Sequence, residues 1–269
     1  MAQSAGIDYW AYGWYGLESP VNAWKLHQSS KHANLVKWCF IFFSYRSFSS
    51  EIGKHIDQYV QLFRSDNYQK VLGGRPILYL MDDHTPPAEL LAPITNVGVR
   101  LQALASPPPY IVLMTGLASG TVALAGADAV GRYTSQGTGG SYADLAKTVE
   151  TYWNKQAATG QSVVPTAMTG WDRRPRVSRP VPWEASSPTS AAPCKTCDFY
   201  TAGTPEQIAE HISRMLAWID THRHSALAQT GLIYSWDEHD EGGSTLNPSV
   251  SDGNAIIDAT SKVLRRNKY

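Results

Sequence analysis

Apolar runs alternate along the chain with segments in which apolar residues recur at helical spacing. Short runs rich in apolar and aromatic residues predict strands at residues 6–14, 35–43, 76–81, 110–114, 128–130, 162–168 and 231–235. Helical spacing predicts helices at residues 21–34, 51–63, 88–104, 141–157, 205–223 and 251–266. Ser141 and Thr204 are the expected N-caps of two of these helices.

The predicted strands are apolar throughout, which is typical of parallel strands covered by helices. The alternation gives seven strand–helix units, whereas a (β/α)8 barrel of the TIM type has eight. A doubly wound open sheet is the alternative. We predict an α/β fold of the TIM-barrel type with seven visible units. It forms a single domain over residues 1–269, with a long loop insertion at residues 170–203.

The most polar point of this pattern comes directly after the last predicted strand. Residues 237–241 read Asp-Glu-His-Asp-Glu, and charges beside a buried strand must be paired or solvated. Active sites of α/β proteins are built at the carboxyl ends of strands. Glu238 and Glu241 are three residues apart, a spacing that can put both carboxyl groups on one side of a tight turn. Cleavage of a glycosidic bond needs two carboxyl groups in different environments, one protonated and one ionised.

Two other interpretations of this acidic segment stay open. A solvated loop could cap the last helix or pair with arginines. Asp237, His239 and Asp240 could instead bind Ca²⁺ or Mn²⁺, but their spacing matches no standard metal-binding loop. We therefore predict no metal site.

Composition narrows the class of ligand. The 23 Lys and Arg balance the 23 Asp and Glu, so the chain has no basic field to hold nucleic acid. Only 17% of residues are charged, while nine Trp and fourteen Tyr are present, which suits a neutral ligand with flat faces such as a sugar. The apolar runs are too short to span a bilayer. We expect a carbohydrate partner and neither a nucleic acid nor a membrane.

The cysteines do not indicate a disulfide framework. Cys39 lies in a predicted strand, and Cys194 and Cys197 lie in the long loop. A lone C-x-x-C without a second pair does not make a zinc ribbon, so a local disulfide or two idle thiols fits better. No signal peptide is visible, and the sequence leaves the location unknown while favouring a secreted or periplasmic one. A seven-unit barrel leaves two strand edges to cover, which is compatible with a homo-oligomer.

Four motifs occur along the chain in a recognisable order. They are Gly-Ile-Asp-Tyr-Trp with Trp-Tyr-Gly at residues 6–10 and 14–16, Tyr-Gln-Lys-Val with Gly-Arg-Pro-Ile-Leu at 68–71 and 74–78, Val-Pro with Gly-Trp-Asp-Arg-Arg-Pro-Arg at 164–165 and 170–176, and the segment 236–242 followed by Leu246 and Pro248. This ordered set resembles glycoside hydrolase family 99 and its relatives in polysaccharide biosynthesis.

The resemblance implies a (β/α)8 barrel that acts on glycans, with the first recognisable strand of this chain as the second of the barrel. It also implies that Glu238 is the base at the sugar's 2-hydroxyl, which forms a 1,2-anhydro intermediate, and that Glu241 is the acid/base. The chain departs from the family pattern at Asp237, His239 and Asn247, so the resemblance supports the fold more directly than the substrate.

Further candidate residues end or follow a predicted strand, or lie in the acidic loop. Aromatic rings there could stack on a sugar and carboxylates could bind its hydroxyls, although packing roles are nearly as compatible with the aromatic residues. The expected substrate-binding residues are Tyr12, Trp14, Tyr45, Asp82, Trp171, Asp172, Trp236, Asp237 and His239.

The sequence thus predicts a retaining glycoside hydrolase with Glu238 and Glu241 as catalytic residues and no cofactor. An α-mannan-like substrate is implied by the resemblance only. The alternative is a non-hydrolytic glycan-binding or polysaccharide-biosynthesis protein on the same barrel.

Overall fold

A computed structural model describes residues 1–20, 23–82, 86–115, 125–135, 139–179, 199–241 and 245–266. The strands are β1 (Tyr9–Trp14), β2 (Lys37–Phe42), β3 (Lys70–Val71), β4 (Arg75–Met81), β5 (Tyr110–Met114), β6 (Ala129–Gly131), β7 (Ser162–Val164), β8 (Thr166–Met168) and β9 (Leu232–Tyr234). The α-helices are α1 (Ala2–Ala5), α2 (Ala23–Ser29), α3 (Tyr45–Arg64), α4 (Leu91–Gln102), α5 (Tyr142–Ala157), α6 (Pro175–Ser178), α7 (Pro205–Thr221) and α8 (Ala255–Arg266). Single 3₁₀ turns lie at Ala33–Leu35, Pro87–Leu90 and His239–Glu241.

Tertiary contacts divide the chain into two compact units. Unit 1 comprises Met1–Tyr133, Lys155–Pro165 and Ile219–Thr230, and unit 2 comprises Thr134–Asn154, Thr166–Trp218 and Gly231–Tyr269. The organisation as one domain stays a prediction.

A parallel sheet forms the centre of unit 1. Among the described strands its order is β1-β2-β4-β5-β6-β7, and every neighbouring pair in this order is parallel. All five residues of β5 are buried, as are all residues of β2 except Lys37. Burial on both faces explains why these runs lack polar residues at alternate positions.

The short strand β3 was not predicted. It pairs antiparallel with β4, with Val71 opposite Arg75. The turn between them has positive φ at Leu72, Gly73 and Gly74. Two residues are too short for a periodic pattern, so only the turn chemistry signalled this hairpin.

The predicted strand 162–168 is divided at Pro165. Proline has no N–H to donate to a sheet, and the ladder is interrupted there. β7 pairs with β6 in unit 1, whereas β8 pairs with β9 in unit 2. The sequence pattern showed the apolar run but not its division between two sheets.

Helix α3 begins at Tyr45 rather than at residue 51. Ser44 is its N-cap, and its side-chain oxygen accepts from the N–H of Ser47 at 2.9 Å. Phe48 belongs to the buried face of the helix. The Ser-rich first turn, which obscured this start in the sequence, is a capping signal.

The two predicted caps are confirmed. Ser141 accepts from the N–H of Asp144 at 3.3 Å, and the Asp144 carboxylate accepts from the N–H of Ser141 at 2.8 Å. Thr204 and Gln207 make the same reciprocal pair at 3.3 and 2.9 Å.

Across the described helices, none is both long and apolar enough to cross a membrane.

Of the cysteines, Cys39 is buried and free. Cys194 and Cys197 lie outside the described residues, as do most residues of the long loop. A described part of that loop forms the short helix α6, which the sequence did not predict.

Candidate active site

The acidic segment directly follows β9, which pairs with β8 in unit 2. Met168 lies opposite Tyr234 where the two strands end. Just beyond them, the N–H of Thr169 donates to the carbonyl of Tyr234 at 2.7 Å, and the N–H of Ser235 donates to the Thr169 hydroxyl at 3.0 Å. These bonds fix the point at which the acidic segment leaves the strand.

The segment itself folds back as a short turn. The Ser235 hydroxyl accepts from the N–H of Glu238 at 3.2 Å, and His239–Glu241 form one 3₁₀ turn. The N–H of Leu246 returns to the carbonyl of Ser235 at 3.0 Å. Backbone hydrogen bonds at both ends therefore hold the glutamates in a defined loop.

Glu238 carries the most perturbed carboxyl group of this loop. Burial and, after it, the negative charges of Glu241, Asp240 and Asp237 together raise its pKa to about 7. The positive charge of Arg176 opposes this shift. Near neutral pH the Glu238 carboxyl is therefore poised to exchange a proton.

Glu241 is in an opposite environment. The guanidinium of Arg176 lies 3.0 Å from its Oε1, and the hydroxyl of Tyr234 donates to its Oε2. Arg176 also donates through Nε to Asp240 at 3.0 Å. The side chain of Glu241 is 15% exposed and that of Arg176 is 9% exposed. This ion pair is shielded from solvent, where opposite charges interact more strongly than at a surface.

The segment after β8 is attached to the same loop. The N–H of Asp172 donates to the carbonyl of Glu241 at 2.5 Å. The Asp172 carboxylate accepts from Nε of Arg174 at 2.8 Å, and Arg174 also lies over the ring of Phe199 at 3.8 Å. Burial raises the pKa of Asp172, but the hydrogen bonds and charge of Arg174 outweigh it, so that the pKa lies below its usual value.

The candidate residues of unit 2 differ in accessibility. Asp237 and His239 are exposed and Trp236 is half-buried, so all three present surface to a ligand. His239 lies 3.2 Å from the Asn247 amide. Trp171 is only 1% exposed, which does not fit the sugar-stacking role predicted for it.

The remaining candidates belong to unit 1. Trp14 is 3% exposed, stacks on Phe40 with ring centres 3.9 Å apart and donates to the hydroxyl of Tyr59 at 2.7 Å. Tyr45 is also buried. This burial does not fit the sugar-contacting role predicted for Trp14 and Tyr45, because both rings are already covered by the core.

Tyr12 and Asp82 are more accessible. Tyr12 is half-buried, with its ring 6.0 Å from that of His27. Asp82 is exposed and accepts from the Thr115 hydroxyl at 3.0 Å. Their predicted contact with substrate stays a prediction. No group of three or more His, Cys, Asp or Glu residues in the described ranges is arranged to hold a metal ion.

Sequence reasoning missed the two side chains that bind the Glu241 carboxylate. Arg176 lies in the third of the four motifs, at residues 170–176. The motif drew attention to this arginine but did not indicate what its side chain binds. Tyr234 is the last residue of β9, and its hydroxyl reaches forward to Glu241. An arginine 65 positions before a glutamate gives no local pattern, because only the tertiary fold brings α6 to the acidic turn.

No protein-family model matches the sequence, and a search of curated proteins finds no match. Among solved structures, the chain is similar to the GH99 endo-alpha-mannosidase from Bacteroides thetaiotaomicron in complex with BIS-TRIS-Propane. The TM-score is 0.61 at 15% identity, over 99% of this chain and 82% of that one. A second structure of that enzyme gives a TM-score of 0.59 at 15% identity, over 99% and 78% of the two chains. At this identity the likeness concerns the fold alone. It confirms the predicted α/β class of the TIM-barrel type.

Proposed function

We propose that this protein is a glycoside hydrolase that uses Glu238 and Glu241 as its two carboxyl groups. The observation that carries the proposal is their contrast: a half-buried carboxyl whose pKa is raised to about 7 beside a carboxylate bound by Arg176 and Tyr234. Hydrolysis of a glycosidic bond requires this division into a protonated and an ionised group.

The proposed reaction is retaining and needs no cofactor. The glycosidic C–O bond breaks, the leaving oxygen takes a proton from one glutamate, and water finally supplies the new oxygen at the anomeric carbon. An α-mannan-like substrate is proposed because the two similar structures are of an endo-alpha-mannosidase.

Release of reducing ends from α-mannans, α-glucans and other polysaccharides tests this proposal. We expect turnover of one of these by the wild-type protein, and a loss of roughly 10³-fold or more in Glu238→Gln and in Glu241→Gln. Glu89→Gln, which changes an exposed carboxylate, is the matched control and should leave turnover unchanged. Near-normal turnover in either site variant would contradict the assignment of Glu238 and Glu241 as the two catalytic residues.

A second candidate is a glycan-binding protein without hydrolytic activity. It is favoured by the closed environment of Glu241, whose two carboxylate oxygens already have protein partners. Retained binding of a polysaccharide that the wild-type protein does not cleave would support this second function over the first.

A further inference from the structure

Unit 1 contains a cleft that the proposed reaction does not use. Its volume is about 410 Å³, which lies in the range of sites for small ligands. Residues from the end of helix α3, from the start of β4 and from the segment after helix α4 line it. The cleft is thus at the amino end of β4, whereas Asp82 follows the other end of that strand.

Two cationic side chains line this cleft. Arg64 is the last residue of α3, and Lys70 is the first residue of β3. Within the part of the chain that the structure describes, neither side chain forms an ion pair with a carboxylate. Arg75 differs from them, because it pairs with Asp128 at 2.7 Å. The two cations of the cleft are therefore available to an anion from outside the protein.

Neutral hydrogen bonds hold both cations in place. Nε of Arg64 donates to the hydroxyl of Ser106 at 3.1 Å, and Nζ of Lys70 donates to the carbonyl of Arg64 at 3.1 Å. A lysine at the last carbonyl of a helix stabilises that helix end, which explains one of these contacts. Both cations have further N–H donors, and a site that is already ordered binds its ligand at a lower entropic cost.

The other side chains of the cleft suit a ligand that carries hydroxyl groups. The carboxylate of Asp66 accepts hydrogen bonds, while the side chains of Gln61 and Ser65 both donate and accept them. Phe63 and Leu101, which are buried, add apolar surface. Asp66 disfavours a second negative charge on the ligand, since like charges repel. The lining therefore fits a molecule with one negative charge, several hydroxyls and an apolar face.

We propose that this cleft binds an acidic monosaccharide of the hexuronate class. The carboxylate of the sugar binds Arg64 and Lys70, and the planar guanidinium can hold a carboxylate through two parallel hydrogen bonds. The sugar hydroxyls bind Asp66 and the neighbouring polar side chains. Every residue that lines the cleft belongs to unit 1, whereas Glu238 and Glu241 belong to unit 2. The two sites share no residue, so binding here does not depend on hydrolysis.

Titration of the full chain with glucuronate, followed through amide NMR shifts, tests the site. We expect saturable binding with a Kd on the order of 1 mM, and the largest shifts at the amides of Ser65, Asp66 and Ser106. Glucose lacks the carboxylate and should bind at least about 10-fold more weakly. Equal binding of glucose, no saturable binding, or shifts confined to residues outside the cleft would overturn the proposal.

Two charge-removing variants test the assigned contacts. Arg64→Gln and Lys70→Gln should each raise the Kd for glucuronate roughly 10-fold, because each removes a charged donor. Lys54→Gln, at an exposed position of the same helix α3, removes an equal charge and should leave the Kd unchanged. Melting temperatures show whether each variant keeps its fold, and the wild-type shifts decide the question without any variant.

Unchanged binding in both folded cleft variants would reject the contacts with Arg64 and Lys70. Inorganic phosphate gives a further comparison, because it carries more negative charge and offers no sugar hydroxyls. If phosphate binds the wild-type cleft more tightly than glucuronate does, the ligand is not a hexuronate and the proposal fails. Weaker binding of phosphate supports it.

Discussion

Glu238 combines burial with neighbouring negative charge, and this has a thermodynamic consequence. Its pKa is raised from 4.5 to about 7 in the folded protein. Between these pH values the folded chain holds a proton that the unfolded chain has released, so the free energy of unfolding falls as the pH rises. The loss is complete above the folded-state pKa.

Glu238→Gln is therefore expected to be more stable than the wild-type protein at about pH 8. The full shift corresponds to about 3 kcal/mol, and because Glu238 is only half-buried, screening by solvent reduces the expected gain to on the order of 1 kcal/mol. At about pH 4 the difference should vanish, because both chains are then neutral at this position. Urea unfolding at the two pH values measures the effect, with Glu89→Gln as an exposed control. A variant that is less stable than wild type at the higher pH would contradict the environment assigned to Glu238.

Residue type alone does not decide whether an aromatic side chain contacts a ligand or packs in the core. Tryptophan at the end of a strand can stack on a sugar or fill a core, and both uses satisfy its large apolar surface. Trp14 and Trp171 are buried, whereas Trp236 is half-buried. The choice depends on what packs against each ring, which no local pattern contains.

At the scale of elements, a buried histidine supports the end of β8. His211 lies within 2.9 Å of Glu150 through Nδ1, and its Nε2 accepts from the N–H of Met168 at 3.3 Å. Its ring stacks on Trp153 with the centres 5.4 Å apart. Since Met168 precedes Thr169 and the segment attached to Glu241, this contact also supports the candidate site.

His211→Ala should lower the free energy of unfolding by about 3 kcal/mol, because it leaves a cavity and removes the partner of a buried N–H. His224→Ala, at an exposed position three residues after helix α7 ends, should change stability by less than about 0.5 kcal/mol. Urea unfolding at neutral pH compares the two variants. An equal, small effect in both would show that the buried contact contributes little.

At the scale of the whole molecule, the two sheets differ in extent. Unit 1 contains the long parallel ladder, in which β2 and β5 are almost wholly buried. In the described part of unit 2, β8 and β9 pair over three residues each. Local openings are least frequent where buried apolar contacts and backbone hydrogen bonds are most numerous.

Native-state hydrogen exchange should therefore find the slowest amides in β2, β4 and β5. The amides of β8 and β9 should exchange faster, because each strand is short and has few ladder bonds. Mass spectrometry of peptides from the two units, after exchange at one pH and temperature, measures this order. Slower exchange in β8 and β9 than in β5 would contradict it.

Much of the architecture followed from the sequence. The apolar runs predicted where most strands lie along the chain. The span Tyr110–Met114 was predicted to the residue, because three prolines precede this run and Thr115 and Gly116 follow it. The predicted start of α3 was wrong, because its Ser-rich first turn resembles a loop in the sequence. The division at Pro165 was missed, because a proline can lie inside an apolar run.

The sequence by itself determined the α/β class, the two helix caps and the position of Glu238 and Glu241 after the last strand, because periodicity, capping and strand ends are local properties. Only the tertiary structure decided how the two glutamates differ. The carboxylate of Glu241 meets Arg176 from a distant segment, while that of Glu238 meets burial and like charges. Protonation depends on such through-space neighbours, and the fold alone brings them together.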